Sequence, residues 1–179
     1  MKTLLLAVAL CACGGNGTFV DGSVSSKGID AADVLVMSQA GAGGSLSIWI
    51  GDHTGFCDEM HGSQFLKNLD MLVLTMGIVG TDGVVTAADS AGRYQLAGQP
   101  GPGSRIAVAD FWTMGACLSQ SPVRATSGYI DLTHFKGTPG SPVEAEGTFS
   151  VVFAGGKLEG QFRAVIPCNV ERGNFLLCN

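Results

Sequence analysis

Residues 147–166 read GTFSVVFAGGKLEGQFRAVI, from Gly147 to Ile166. Gly147, Phe149, Val151 and Phe153 recur at every second position, and successive side chains of an extended strand point to opposite faces. The run therefore predicts a strand with one apolar face. Ala154-Gly155-Gly156-Lys157 turns the chain, with Gly where positive φ is cheap. Leu158, Gly160, Phe162, Ala164 and Ile166 then mirror the first strand, and Cys168 follows as a pin at its end. The whole is a β-hairpin with one face turned to a core.

The same period extends upstream. In Gly128 to Phe135 (GYIDLTHF), Ile130, Leu132 and His134 share the apolar parity, and Gly137 to Pro142 forms a wide turn. Arg105 to Thr113 (RIAVADFWT), Gly92 to Ala97 (GRYQLA) and Asp70 to Gly77 (DMLVLTMG) are further strands, with a turn signal at Thr81-Asp82-Gly83. Leu46, Ile48 and Ile50 alternate with Ser45, Ser47 and Trp49, and Val34 and Val36 precede them as a partner strand across the turn at 40–44. A short helix fits between Glu59 and Leu66. About eight strands joined by turn residues predict an all-β domain, an antiparallel β-sandwich with an up-and-down β-barrel as the alternative. Charged residues at 14% and 27 glycines suit such a turn-rich domain rather than a helical bundle. Residues 31–179 form it as a single unit.

The beginning of the chain has a different character. Lys2 precedes an uncharged apolar run, Leu4 to Leu10, followed by small residues; charge, short apolar core and small residues in that order are a secretory signal. The run is far below the roughly 20 residues that span a bilayer. Leu10-Cys11-Ala12-Cys13 resembles the bacterial lipobox, with Leu three residues before a Cys and a small residue directly before it. The resemblance implies a bacterial lipoprotein: a signal peptide over residues 1–12, cleavage before Cys13, a diacylglyceryl thioether on its sulfur and an acyl chain, palmitate for instance, on the new amine. Gly14 instead of Asp after that Cys leans toward the outer membrane. Gly14 to Lys27 is Gly/Ser-rich, which makes residues 13–30 a flexible tether.

A second resemblance covers roughly half of the chain. Ala109-Asp110-Phe111 leading to Cys117, then Ser127 to Thr133, Gly147 to Phe153 and Leu158 to Cys168, is similar to uncharacterised Gly-rich all-β lipoproteins of myxobacteria-like bacteria. It carries over no functional residues.

Ten basic residues face 15 acidic ones, a formal charge of −5. That argues against a nucleic-acid partner, which needs a basic footprint, and against charge-driven binding to anionic lipid. Cys57, Cys117, Cys168 and Cys178 remain once Cys11 and Cys13 are set aside; an even number in an exported domain reads as two disulfides. Cys168 and Cys178 are neighbours in sequence, so the expected pairs are Cys168–Cys178 and Cys57–Cys117.

Candidate chemistry is sparse. Asp52, His53, Cys57, Asp58, Glu59 and His61 form the densest polar cluster, and His53 and His61 are the only imidazoles in it. Their spacing matches no standard metal-ligand set, and ordinary solvated loop residues explain them better. His134 reads as a strand-end residue near water. No Gly-x-Ser-x-Gly elbow and no phosphate loop with Lys-Ser/Thr is present. Trp49, Trp112, Phe111 and Tyr129 are candidates for a sugar-stacking platform, with core packing or burial under a disulfide loop as the better account of Trp49. No cofactor and no catalytic motif is expected. The reading is a lipid-anchored envelope domain with a structural or interaction role, held to the membrane through Cys13; the alternative is a module binding a small ligand or carbohydrate.

Overall fold

A computed structural model describes residues 17–39, 45–61, 68–96, 100–115, 121–138 and 141–168. Among them the chain runs β1 (Phe19–Val24), β2 (Asp33–Gln39), β3 (Ser45–Gly51), α1 (Phe56–His61), β4 (Leu69–Val79), β5 (Val85–Ala87), β6 (Gly92–Leu96), β7 (Arg105–Met114), β8 (Val123–Arg124), β9 (Ser127–Thr138), β10 (Ser141–Phe153), β11 (Gly156–Ala164) and β12 (Ile166–Pro167). The all-β class is as the sequence predicts. The arrangement differs in two respects. The strands make one continuous 12-stranded sheet, ordered β1-β11-β10-β9-β6-β7-β4-β3-β2-β12, with β5 on β4 and β8 on β7. The sheet is mixed, because β6 pairs β7 and β12 pairs β2 in parallel.

This one sheet replaces a two-sheet sandwich because it curls into a half-barrel. β11 pairs β1 and β10; after Val165 the chain enters β12 and pairs β2, bringing the two ends of the path together. The concave side holds the main core: Val36, Ile48, Leu74, Tyr94, Phe111, Ile130, Phe149, Phe153, Leu158 and Phe162 meet there with their neighbours. Each such aliphatic or aromatic side chain contributes about 1.5–3 kcal/mol on burial. The β10–β11 hairpin is built as read, with Phe153 paired to Gly156 across the two-residue turn Ala154-Gly155.

Gly147 shows why a strand tolerates glycine here. A Cβ on Gly147 would lie 2.7 Å from Cζ of Phe162, so the ring packs where a side chain would stand. Gly128, with φ of +129°, allows β9 to cross β10 closely; a Cβ there would meet the Ser150 carbonyl oxygen at 2.2 Å.

Three further differences follow from the architecture. The stretch expected to be a tether supplies β1: Phe19 to Val24 pair in register with Gln161 to Gly156, and Val24 and Ile29 are buried. Only its first residues, through Asn16, lie outside the described part, as do Cys13 and the signal peptide. The helix begins at Phe56 rather than Glu59. Trp49 is buried because β3 is covered on both faces: Leu46, Ile48 and Ile50 face the main core, while Trp49 joins Leu35, Met37, Leu69, Met71, Val73, Met114 and Cys168 in a second cluster on the other face. Ser47 is fully buried in the same strand, and its hydroxyl meets Thr75 Oγ1 at 3.2 Å, satisfying both groups.

Candidate functional site

The second cluster is braced by a disulfide joining Cys57 in α1 to Cys168 directly after β12, across 111 residues. This corrects the expected pairing. Cys168 does not bridge to its sequence neighbour Cys178, because its backbone N–H is bound to the Val36 carbonyl at 3.1 Å and the chain is carried beside β2, where α1 approaches. Cys117 and Cys178 lie outside the described residues.

α1 also organises the polar loop. Asp33 at the start of β2 accepts from the backbone N–H groups of Val34 and Gly55, each at 3.0 Å, which fixes the loop in front of the helix. His53 Nε2 lies 3.2 Å from Glu59 Oε2, and its Nδ1 lies 3.7 Å from Asp52 Oδ1. The cluster is therefore a local brace between the loop and the helix, with Cys57 committed to the disulfide. Among the described residues no group of three or more His, Cys, Asp or Glu is arranged to hold a metal. His61 belongs to α1, but its side chain is not among those described.

The aromatic candidates do not form a platform. Phe111 is in the main core, in edge contact with Phe153 at 6.3 Å between centroids. Trp49 is in the second cluster, with Trp112 packed against it. Tyr129 shares the outer face with Trp49 and Trp112, but it stands on β9, with β6 between it and the Trp112 strand β7, and β6, β7 and β4 between it and the Trp49 strand β3.

On that outer side the described residues form an extended polar arrangement. Two rungs cross five strands: Arg93, Asp131, Thr148, Gln161 and Phe19 are successive cross-strand partners, and so are Gln95, Tyr129, Ser150, Glu159 and Asp21. At about 4.8 Å between strands, each rung spans roughly 19 Å. Arg93 Nη2 donates to Asp131 Oδ2 at 2.7 Å, and its guanidinium carbon sits 4.3 Å from the Tyr129 ring centroid. The hydrogen bond to Asp131, and then its charge, raise the Arg93 pKa above its ordinary value. Lys157 is raised likewise by its hydrogen bond to Glu159. Arg163 bridges Glu146 at 2.8 Å and Glu144 at 3.5 Å. A half-open cleft of about 370 Å³ opens on this face, with Thr133, Glu146, Thr148, Gln161 and Arg163 among its walls.

Parity assigns Arg93, Gln95, Tyr129 and Asp131 to polar faces, yet the sequence does not reveal the β6–β9 pairing that joins them into a ladder. His134 is exposed, not on the apolar parity, for a reason given by the bulge at Thr133.

No helix among the described residues is long and apolar enough to cross a membrane. No protein-family model, curated protein or solved structure matches this chain.

Proposed function

We propose that this chain is a lipid-anchored β-domain of the cell envelope, attached to the outer membrane through Cys13, with a structural or interaction role rather than a catalytic one. What carries this reading is the Cys57–Cys168 bridge in a chain whose first residues end in Leu10-Cys11-Ala12-Cys13. Disulfides persist in oxidising, exported compartments, and the lipobox-like run supplies export and anchor together. Two or more acyl chains hold a protein stably at a bilayer without any spanning segment. The intact mass of protein extracted from membranes tests it. A mass starting at Cys13 plus acyl chains is expected, and Cys13→Ser should abolish lipid and membrane attachment. A Cys13→Ser protein that still fractionates as mature and membrane-bound would overturn the anchor.

The five-strand polar face favours a second reading, binding of a carbohydrate or other small polar ligand. Amides, carboxylates and hydroxyls are interleaved there beside the cleft of about 370 Å³. Screening immobilised glycans with the domain, and with Thr148→Arg as the blocked control, tests this. Signals that survive equally in the blocked variant would reject the face as the binding site.

A further inference from the structure

We infer that the end of the outer face where β1 begins and β11 finishes, around Gly17, Phe19 and Val165, lies directly against the bilayer. The inference rests on the anchor reading above and specifies how the domain sits on its membrane.

The leash is short. Gly17 is held to the sheet: its carbonyl accepts from Gln161 Nε2 at 2.7 Å, and the buried Thr18 hydroxyl accepts from the Arg163 backbone N–H at 2.9 Å. Only Gly14, Gly15 and Asn16 stand between Cys13 and this fixed point. Four residue steps at full extension reach at most about 14 Å. A domain fixed at Gly17 therefore cannot stand off from lipid inserted at Cys13, and the part of the sheet around Gly17 must be the part nearest the membrane.

That part carries exposed apolar side chains. Phe19 is 47% exposed in β1, and Val165 is 37% exposed where β11 passes into β12. Phe19 is paired with Gln161, and Val165 lies four residues farther along the same parity, in the direction from which the chain enters β1. Val143, 44% exposed at the bulged start of β10, belongs to the same end of the hairpin. Apolar side chains beside a lipid anchor gain by entering the headgroup–acyl boundary. The net negative charge leaves this contact to apolar burial rather than to attraction for anionic lipid.

The opposite end of the hairpin supplies the control. Val152 has the same outward parity and is 38% exposed, yet lies along β10 four residues from Thr148, which is level with Phe19, and eight from Glu144. At about 3.3 Å per residue that is roughly 13 Å beyond the level of Phe19 and roughly 26 Å beyond that of Glu144.

The experiment uses the full lipidated protein in phosphatidylcholine/phosphatidylglycerol nanodiscs with and without a gadolinium-chelating lipid, read by backbone amide NMR. Loss of the Phe19, Arg163 and Val165 amide signals with retention of those of Val152 and Lys157 is expected. Phe19→Ser with Val165→Ser should restore part of the lost intensity. If intact mass shows acyl chains on Cys13 but both ends lose signal equally, or the Val152 end loses more, the apposition is wrong while the anchor stands. If the mass carries no lipid, the anchor reading itself has failed, and this inference with it.

Discussion

The hydroxyl of Thr133 donates to the main-chain carbonyl of Glu146 at 3.0 Å, at the point where β9 gains one residue on β10. Leu132 faces Gly147 and His134 faces Glu146, so Thr133 has no partner of its own across the ladder. One inserted residue reverses every side chain beyond it. His134 thus turns to solvent, and Phe135 packs against the main core opposite the buried Ala145. Deleting Thr133 is expected to close the bulge into regular pairing, with Leu132 still opposite Gly147, His134 still outward opposite Glu146 and Phe135 still opposite Ala145, and so to cost little more than the lost hydrogen bond. Thr133→Val keeps the count and loses only the hydrogen bond, at about 0.5–1.5 kcal/mol. Urea denaturation of the two variants tests this: losses of similar size are expected, and a far larger loss on deletion would mean that the strand cannot close into regular pairing at this point.

The disulfide yields a second prediction. Cys57 and Cys168 are separated by 111 residues, so the bond restricts the unfolded chain strongly. The Cys57→Ala/Cys168→Ala double variant should lose about 2–5 kcal/mol in guanidinium unfolding. A midpoint equal to that of the oxidised parent would show that the bond does not brace the fold. Peptide mapping without reduction should recover a Cys57–Cys168 pair, and any second bond is then Cys117–Cys178. Recovery of a Cys168–Cys178 peptide would refute the pairing.

Much of this fold is legible before folding, and the exceptions have physical causes. The β10–β11 hairpin announces itself because one face is apolar and the period is strict, and β3 because Leu46, Ile48 and Ile50 alternate with Ser45, Ser47 and Trp49. β1 escapes notice because it is an edge strand whose outward residues, Phe19, Asp21 and Ser23, give no clean alternation, and Gly22 and Ser25 resemble linker. β5 and β8 are too short to carry a period. Trp49 looks polar-side because periodicity registers one buried face, whereas β3 has two. The Arg93–Tyr129–Asp131 ladder needs the β6–β9 pairing, which joins strands separated in sequence by β7 and β8. The disulfide misleads for the same reason, since proximity along the chain is not proximity across a curled sheet.

Gly147 makes a third prediction, about packing. Gly147→Ala places a methyl within 2.7 Å of the Phe162 ring and 2.3 Å of the Asp131 carbonyl oxygen. Neither the buried ring nor the backbone of β9 can yield freely, so overpacking should cost about 1–3 kcal/mol. Gly147→Ala combined with Phe162→Leu should recover part of that loss if the ring is the obstacle. A double variant no more stable than the additive expectation would place the strain in the backbone instead.

Tyr94 sets the alkaline limit. Its ring is fully buried in the main core, and its hydroxyl donates to the Ser90 carbonyl at 2.7 Å. Burial is the largest influence on this phenol and raises its pKa above the ordinary 10.0, although the nearby Arg105 guanidinium acts in the opposite direction. A raised folded-state pKa means that the folded protein holds the proton more tightly than the unfolded chain. Tyr94 therefore costs no stability from this source below pH 10.0, and stability falls as pH climbs past that value, because only the unfolded state ionises freely. Tyr94→Phe should be less stable at neutral pH, through loss of the Ser90 hydrogen bond at about 1 kcal/mol, but should show a shallower decline above pH 10. Urea midpoints measured from pH 8 to pH 11.5 test the sign. Parallel declines in the parent and in Tyr94→Phe would assign the alkaline loss to other groups, among them Lys157, whose raised pKa gives a stability loss of the same sign.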